Sequence, residues 1–266
     1  MKKKILALCL CVVLAITAVT GATLAYFTDA DAEENTFTVG KVDIDLVEDF
    51  TQGSELNPGT KDQNNVEKEV WVELESGSKD AYVRVHIAIP SAIDDGNPTF
   101  AAVNNALHFN FSKESVEEGK WSWKANYGTG SGYDAKDWNF YNTKIGEVDY
   151  NVYVVTYRTA LSNAEGGITK TENAMYQVYL DKSIDYVTNE KVGDDENYTG
   201  YTQVVDGQVK KLDLSNTSIF VVAEGTQTDG FENAYDALNS AFGVPGKYTV
   251  DWNAANEQKI LVDNDQ

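Results

Sequence analysis

From Phe37 onward, apolar and polar residues alternate with a period of two, the spacing that sends successive side chains to opposite faces of a strand. Phe37 and Val39 set one phase. Gly40-Lys41 then shifts it, and Val42, Ile44 and Leu46 continue, so a bulge is expected at Gly40-Lys41. Val66, Lys68, Val70, Val72 and Leu74 form a second stripe, with Glu67, Glu69 and Glu73 opposite and a turn at Asn57-Pro58-Gly59 before it. Ala81–Ile89 is the most regular run: Val83, Val85, Ile87 and Ile89 share one face, and Pro90 ends it. Further strands are predicted over Leu107–Phe111, Lys120–Lys124, Val148–Tyr157, Tyr176–Leu180 and Ser218–Ala223, each rich in Val, Ile, Tyr, Phe or Trp. Many short strands without intervening helices predict a mainly β fold, a jelly-roll-like antiparallel β-sandwich in which two half-wet sheets share one core.

Helical spacing is confined to short stretches. Phe231, Ala234, Tyr235, Leu238 and Phe242 recur on one face, with Asp229 as the predicted cap, Glu232 three residues on, and Gly243 and Pro245 as the stop. A second short helix is expected over Phe100–Ala106. Glu190–Lys211 is polar and reads as an excursion from the sandwich, spanning about residues 187–211.

The N-terminus follows different rules. Met1-Lys2-Lys3-Lys4 precedes an apolar stretch, and small residues follow at Gly21, Ala22, Thr23 and Ala25: the layout of a secretory signal peptide over residues 1–25. Cleavage is expected between Ala25 and Tyr26, with a cut after Ala22 as the alternative. Ile5 to Thr28 carries no charge and is long enough to span a bilayer, so the segment would sit in the membrane before the cut. Removing 25 of 266 residues leaves 241, and the single domain is then 37–266, preceded by a linker over 26–36.

Composition narrows the chemistry. The only cysteines, Cys9 and Cys11, leave with the signal peptide, which excludes a disulfide scaffold, cysteine-ligated zinc and thiol catalysis. With 42 acidic against 21 basic residues the charge has the wrong sign for nucleic acid, and loss of Lys2, Lys3 and Lys4 takes it from −21 to −24. That surplus should hold copies apart at low salt, where screening operates over about 10 Å at 0.1 M, and acid or calcium should relax it. Calcium is the one cation the acidic turns suit, although no twelve-residue calcium loop is present; most of these carboxylates read as a solvated face. His86 and His108 are the only histidines, neither lies in an HExxH pattern, and both read as surface residues. No G-x-S-x-G elbow occurs, and Gly128–Gly132 lacks the lysine of a phosphate loop. Trp121 and Trp123 share a strand face, and core packing accounts for them better than sugar stacking. No catalytic, cofactor-binding or metal-ligating set is therefore assigned.

Gly21-Ala-Thr-Leu-Ala-Tyr-Phe-Thr-Asp29 followed by Asn35-Thr-Phe-Thr-Val-Gly-Lys-Val-Asp-Ile-Asp-Leu46 resembles the start of the TasA/camelysin family. The likeness continues at Asn57-Pro-Gly-Thr60, Lys79-Asp-Ala-Tyr-Val-Arg-Val85 and Val222-Ala-Glu-Gly-Thr-Gln-Thr-Asp-Gly-Phe231. It implies export from a Gram-positive bacterium, processing by a SipW-type signal peptidase, and a jelly-roll subunit of extracellular biofilm-matrix fibres or the cell surface. In such fibres Tyr26, Phe27, Thr28, Asp29 and Ala30 would add as a strand to the neighbouring copy, with an accessory matrix protein as a further partner. Some camelysins are classed as metallopeptidases, which is the alternative the resemblance implies.

Overall fold

The computed structural model describes residues 41–50, 55–60, 62–96, 105–110, 120–123, 139–215, 217–252, 256–259 and 261–262. The expected signal segment, the bulge at Gly40-Lys41, the helix over Phe100–Ala106 and the glycine-rich stretch 128–132 lie wholly or largely outside them.

The chain is mainly β, as the alternation predicts. One sheet contains β1 (Ile44–Asp49), β3 (Pro58–Gly59), β4 (Val66–Leu74), β6 (Leu107–Asn110) and β10 (Met175–Asp181). Its strand order is β1-β4-β10-β3, and β6 also pairs with β10. A second sheet contains β5 (Ala81–Pro90), β7 (Trp121–Ser122), β8 (Phe140–Ile145), β9 (Val148–Leu161), β14 (Ser218–Gln227) and β15 (Asn256–Lys259). Its order is β15-β14-β5-β9-β7, with β8 also on β9. Pairing is antiparallel except for two-residue parallel contacts of β3 with β10, and of β16 (Leu261–Val262) with β2 (Glu55–Leu56).

The two large sheets face each other across one core. Val70, Val72 and Leu74 from β4 and Met175, Val178 and Leu180 from β10 meet Val83, Val85, Ile87 and Ile89 from β5 and Tyr153, Val155 and Tyr157 from β9. These are the apolar stripes of the sequence. Full burial of each such side chain contributes about 1.5–3 kcal/mol, so the period-two pattern sets which face turns inward. Trp121 and Trp123 are buried in the same core, as their shared face predicts.

β5 departs from simple alternation because both its faces are covered: every residue from Val83 to Pro90 is buried. The cover on its outer face is α1 (Ala234–Phe242), which packs on β5, β9 and β14. The predicted cap at Asp229 is wrong by four residues. Asp229-Gly230 instead forms a turn closed by the Phe231 amide on the Thr228 carbonyl, with Gly230 at φ 86°. Asn233 caps the helix: its Oδ1 accepts from the Asp236 amide at 3.0 Å and its Nδ2 donates to Asp236 Oδ2 at 2.8 Å. The Pro58-Gly59 turn is also displaced. Those residues pair with β10, and the reversal is a two-bond closure of Thr60 on Gln63. Gly59 is needed there, since a Cβ would stand 2.3 Å from the Gln63 carbonyl oxygen.

Residues 184–211 are regular structure where the sequence reads only a polar excursion. β11 (Ile184–Val192), β12 (Asp195–Val205) and β13 (Gln208–Lys211) form a separate three-stranded antiparallel sheet, joined to the main core through Ile184, Tyr201 and Leu212.

Candidate functional site

Two strand ends of sheets stand out as places where another chain could pair. β1 is the terminal strand of its sheet, held by β4 in the register Ile44↔Leu74, Leu46↔Val72, Glu48↔Val70. Its inward row therefore reads Ile44, Leu46, Glu48, and the facing row on β4 ends in Lys68. Both charged side chains sit in apolar stripes, so they meet inside: Lys68 Nζ lies 2.6 Å from Glu48 Oε2, with side chains 0% and 2% exposed. The Lys68 ammonium also stands 5.2 Å from the Phe50 ring centre. Burial lowers the Lys68 pKa, against the pull of Glu48. Glu48 Oε1 is buried without a hydrogen-bond partner among the described residues. β13 is a terminal strand of the three-stranded sheet, as β11 is on its other side, and it pairs only with β12 among the described residues, through Val204↔Val209 and Val205↔Gln208. The connecting Asp206-Gly207 has φ values of 53° and 75°, which match the twist of a tight hairpin.

The densest group of titratable side chains lies on the outer face of the β5 sheet, under α1. Arg84 and Glu224 are directly opposite on β5 and β14, and Arg84 Nε donates to Glu224 Oε2 at 2.5 Å. The other guanidinium nitrogens reach Asn239 Oδ1 at 3.0 Å, the Gly243 carbonyl at 3.0 Å and the Tyr248 hydroxyl at 2.8 Å. Tyr248 in turn donates to the Glu224 carboxylate, 2.6 Å from Oε1. His86 completes the group. Its Nε2 is 3.1 Å from Glu224 Oε2, and since a carboxylate only accepts, Nε2 carries the hydrogen and Nδ1 accepts from Tyr141 at 3.1 Å. Burial holds His86 below its ordinary pKa. Burial pushes Glu224 up, but hydrogen bonds from His86 and Tyr248 and the Arg84 charge outweigh it and hold the carboxyl at about 2. Burial raises the Tyr141 and Tyr248 hydroxyls out of the physiological range.

Chemically this is a clamp. It has no free nucleophile, and both nitrogens of His86 are engaged. What it does is tie α1 and the segment after it to β5 and β14 with a bidentate-capable cation whose donors are used on every side. His86, expected at the surface, is fully buried because α1 and the 243–252 segment roof that face of the sheet.

The remaining groups are likewise structural. His108 does lie partly exposed, with Nε2 2.8 Å from Asp181 Oδ2. Ser183 Oγ also donates to Asp181, so serine, histidine and aspartate come together, but the serine addresses the aspartate, which is the wrong order for a nucleophile and its base. Asp94 is an exception to the reading of most acidic residues as solvated. It is 2% exposed and receives hydrogen bonds from Asn105 at 2.6 Å, Asn151 at 2.8 Å and Tyr153 at 2.7 Å. Burial raises its carboxyl pKa. Among the described residues no group of three or more histidine, cysteine, aspartate or glutamate side chains could hold a metal.

The expected cleavage residues Ala25 and Tyr26, and the assembly strand Tyr26, Phe27, Thr28, Asp29 and Ala30, lie outside the described residues. Sequence reasoning missed the partners of Arg84. The available signal was an amphipathic helix that must cover some sheet face, together with Arg84 and His86 on the second face of β5. It also missed Glu48, which continues the Val42, Ile44, Leu46 stripe and thus announces a charge turned inward.

Residues 1–80 match the family model described as camelysin metallo-endopeptidase. No curated protein and no solved structure gives a significant match. The matched stretch runs through β4 and stops one residue before β5; it contains the Glu48–Lys68 pair and excludes the Arg84 clamp. The metal that the family description implies does not fit the described donors, since both nitrogens of His86 are engaged and no three histidine, cysteine or carboxylate side chains gather among the described residues. Over residues 1–80, the chain is similar to the camelysin family.

Proposed function

We propose that the chain is a secreted structural subunit of extracellular matrix fibres, on the cell surface or in the matrix of a Gram-positive bacterium. A SipW-type signal peptidase cuts between Ala25 and Tyr26, and the freed Tyr26–Ala30 segment adds as a strand to another copy. An accessory matrix protein is a further partner. The observation that supports this reading is the presence of terminal strands, β1 and β13, whose outer main-chain edges take no partner among the described residues. Such an edge offers a row of N–H and C=O groups to an incoming strand. A head-to-tail contact of that kind does not close on itself, so it propagates.

The test is assembly of purified mature protein beginning at Tyr26, followed by electron microscopy and by a casein assay with and without chelator. Filaments without proteolysis are expected. Chelator-sensitive cleavage and no filaments would favour the peptidase that the family description names.

A further inference from the structure

Resting on that reading of the N-terminal segment as a donor strand, we propose that the edge which receives it is β13, in the three-stranded sheet 184–211, and that the occupant is the acidic N-terminal segment of a second copy. The donor sequence Tyr26-Phe27-Thr28-Asp29-Ala30-Asp31-Ala32-Glu33-Glu34 carries four carboxylates and no positive side chain. β1, an open edge of the first sheet, is Ile44-Asp45-Leu46-Val47-Glu48-Asp49, with Asp45 and Asp49 exposed. Like charges brought directly opposite on neighbouring strands destabilise the pair. β13 has the opposite character: Gln208-Val209-Lys210-Lys211, all four exposed, in a chain of net charge −21. Lys211 already reaches Asp195 at 2.7 Å, with the two side chains 47% and 40% exposed, so it remains accessible to a second carboxylate.

β13 also supplies apolar surface. Val209 and its cross-strand partner Val204 are 50% and 47% exposed, among the most exposed large apolar side chains described, and they form a platform beside which Tyr26 or Phe27 would lie. Lysines on an open edge ordinarily keep identical edges from pairing. Here the same two charges that repel another β13 attract an acidic strand, so the edge discriminates between self-pairing and donor addition.

Two measurements on the full mature chain test the assignment. A photo-crosslinking residue in place of Val209 should give crosslinks between copies that map to residues 26–34, whereas one in place of Val47 on β1 should not. Crosslinks from position 47 and not 209, or crosslinks within one chain, would overturn the proposal. In the second measurement, K210E with K211E should lower the pelleted fibre fraction about fivefold, the scale of two exposed ion pairs, and D29K with D31K in the same chain should restore it. Circular dichroism melting of each variant separates lost assembly from lost folding. Undiminished fibres in the K210E/K211E protein would remove β13 while leaving the fibre reading intact; absence of fibres from the unaltered protein together with no crosslinks would remove both.

Discussion

Among the described residues two cations, Arg84 and Lys68, are buried, and they are surrounded differently. Arg84 lies on a covered sheet face with Glu224, Asn239, the Gly243 carbonyl and Tyr248 around it, so its donors are used in several directions. Lys68 lies in the core stripe of β4 against Glu48, whose second oxygen meets no donor among the described residues. A planar guanidinium can serve a helix, a loop and a strand at once, whereas an ammonium is a point charge on a flexible stem. The comparison teaches that a buried charge stabilises a particular arrangement to the extent that its surroundings are saturated. Arg84 specifies where α1 sits. The Glu48–Lys68 pair specifies little that two apolar residues could not supply.

The largest expected effect comes from breaking the saturated site. Arg84→Met leaves Glu224 and His86 buried without their cation and should cost about 3–5 kcal/mol in urea unfolding; Arg84→Lys should recover only part of that. A loss below 1 kcal/mol would mean that α1 is held by its apolar face alone. Next in size, Lys68→Met strands Glu48 in the core and should cost about 2–4 kcal/mol, while Lys68→Met combined with Glu48→Leu should match or exceed the unaltered protein in stability. If the double variant is as unstable as the single one, the unsaturated pair matters as much as the saturated one and the contrast fails.

Acid should act on the Arg84 site in two stages and is the smallest of the three effects per pH unit. His86 binds its proton less tightly folded than unfolded, so the unfolded chain gains protons first as pH falls below about 6.5. Glu224, held at about 2 against an ordinary 4.5, adds stability above 4.5 that is lost as pH falls from there toward 2. Stability should therefore decline from pH 6.5 downward, by at most about 1.4 kcal/mol per pH unit for each group. His86→Gln should flatten the upper part of that decline while leaving the lower part; an unchanged profile would show that other groups govern acid sensitivity.

The strands with the strongest packing requirement were readable from sequence. β4, β5, β9 and β14 face a core on at least one side, and burial imposes the alternation of Val70, Val72 and Leu74 or Val83, Val85 and Ile87. The 184–211 sheet is held mainly by main-chain pairing, so its apolar pattern is thin, and Tyr, Thr and Val stand between Asn, Asp and Gly. The signal that does mark it is local: Asp206-Gly207, a two-residue pair suited to positive φ at both positions. The helix cap slipped because Asp229 and Asn233 each precede an acidic side chain three residues on, and only the turn at Thr228–Phe231 decides between them. Among the site residues, Lys68 was visible as a charge in the apolar stripe of β4, whereas Glu48 was passed over although it continues the stripe of β1. The Arg84 partners were not visible, since Glu224, Asn239 and Tyr248 come together only when the helix is laid across the sheet.

The same distances along the chain bear on the order in which the protein can become native. Arg84 leaves the ribosome well before its partners at positions 224, 239, 243 and 248, which follow 140 to 164 residues later. Until they emerge, its guanidinium is best left in water, and the outer face of β5 has no roof. Contacts of such long sequence separation form late and slowly. A growing chain therefore leaves the outer face of β5 uncovered until residues 224–248 have been made.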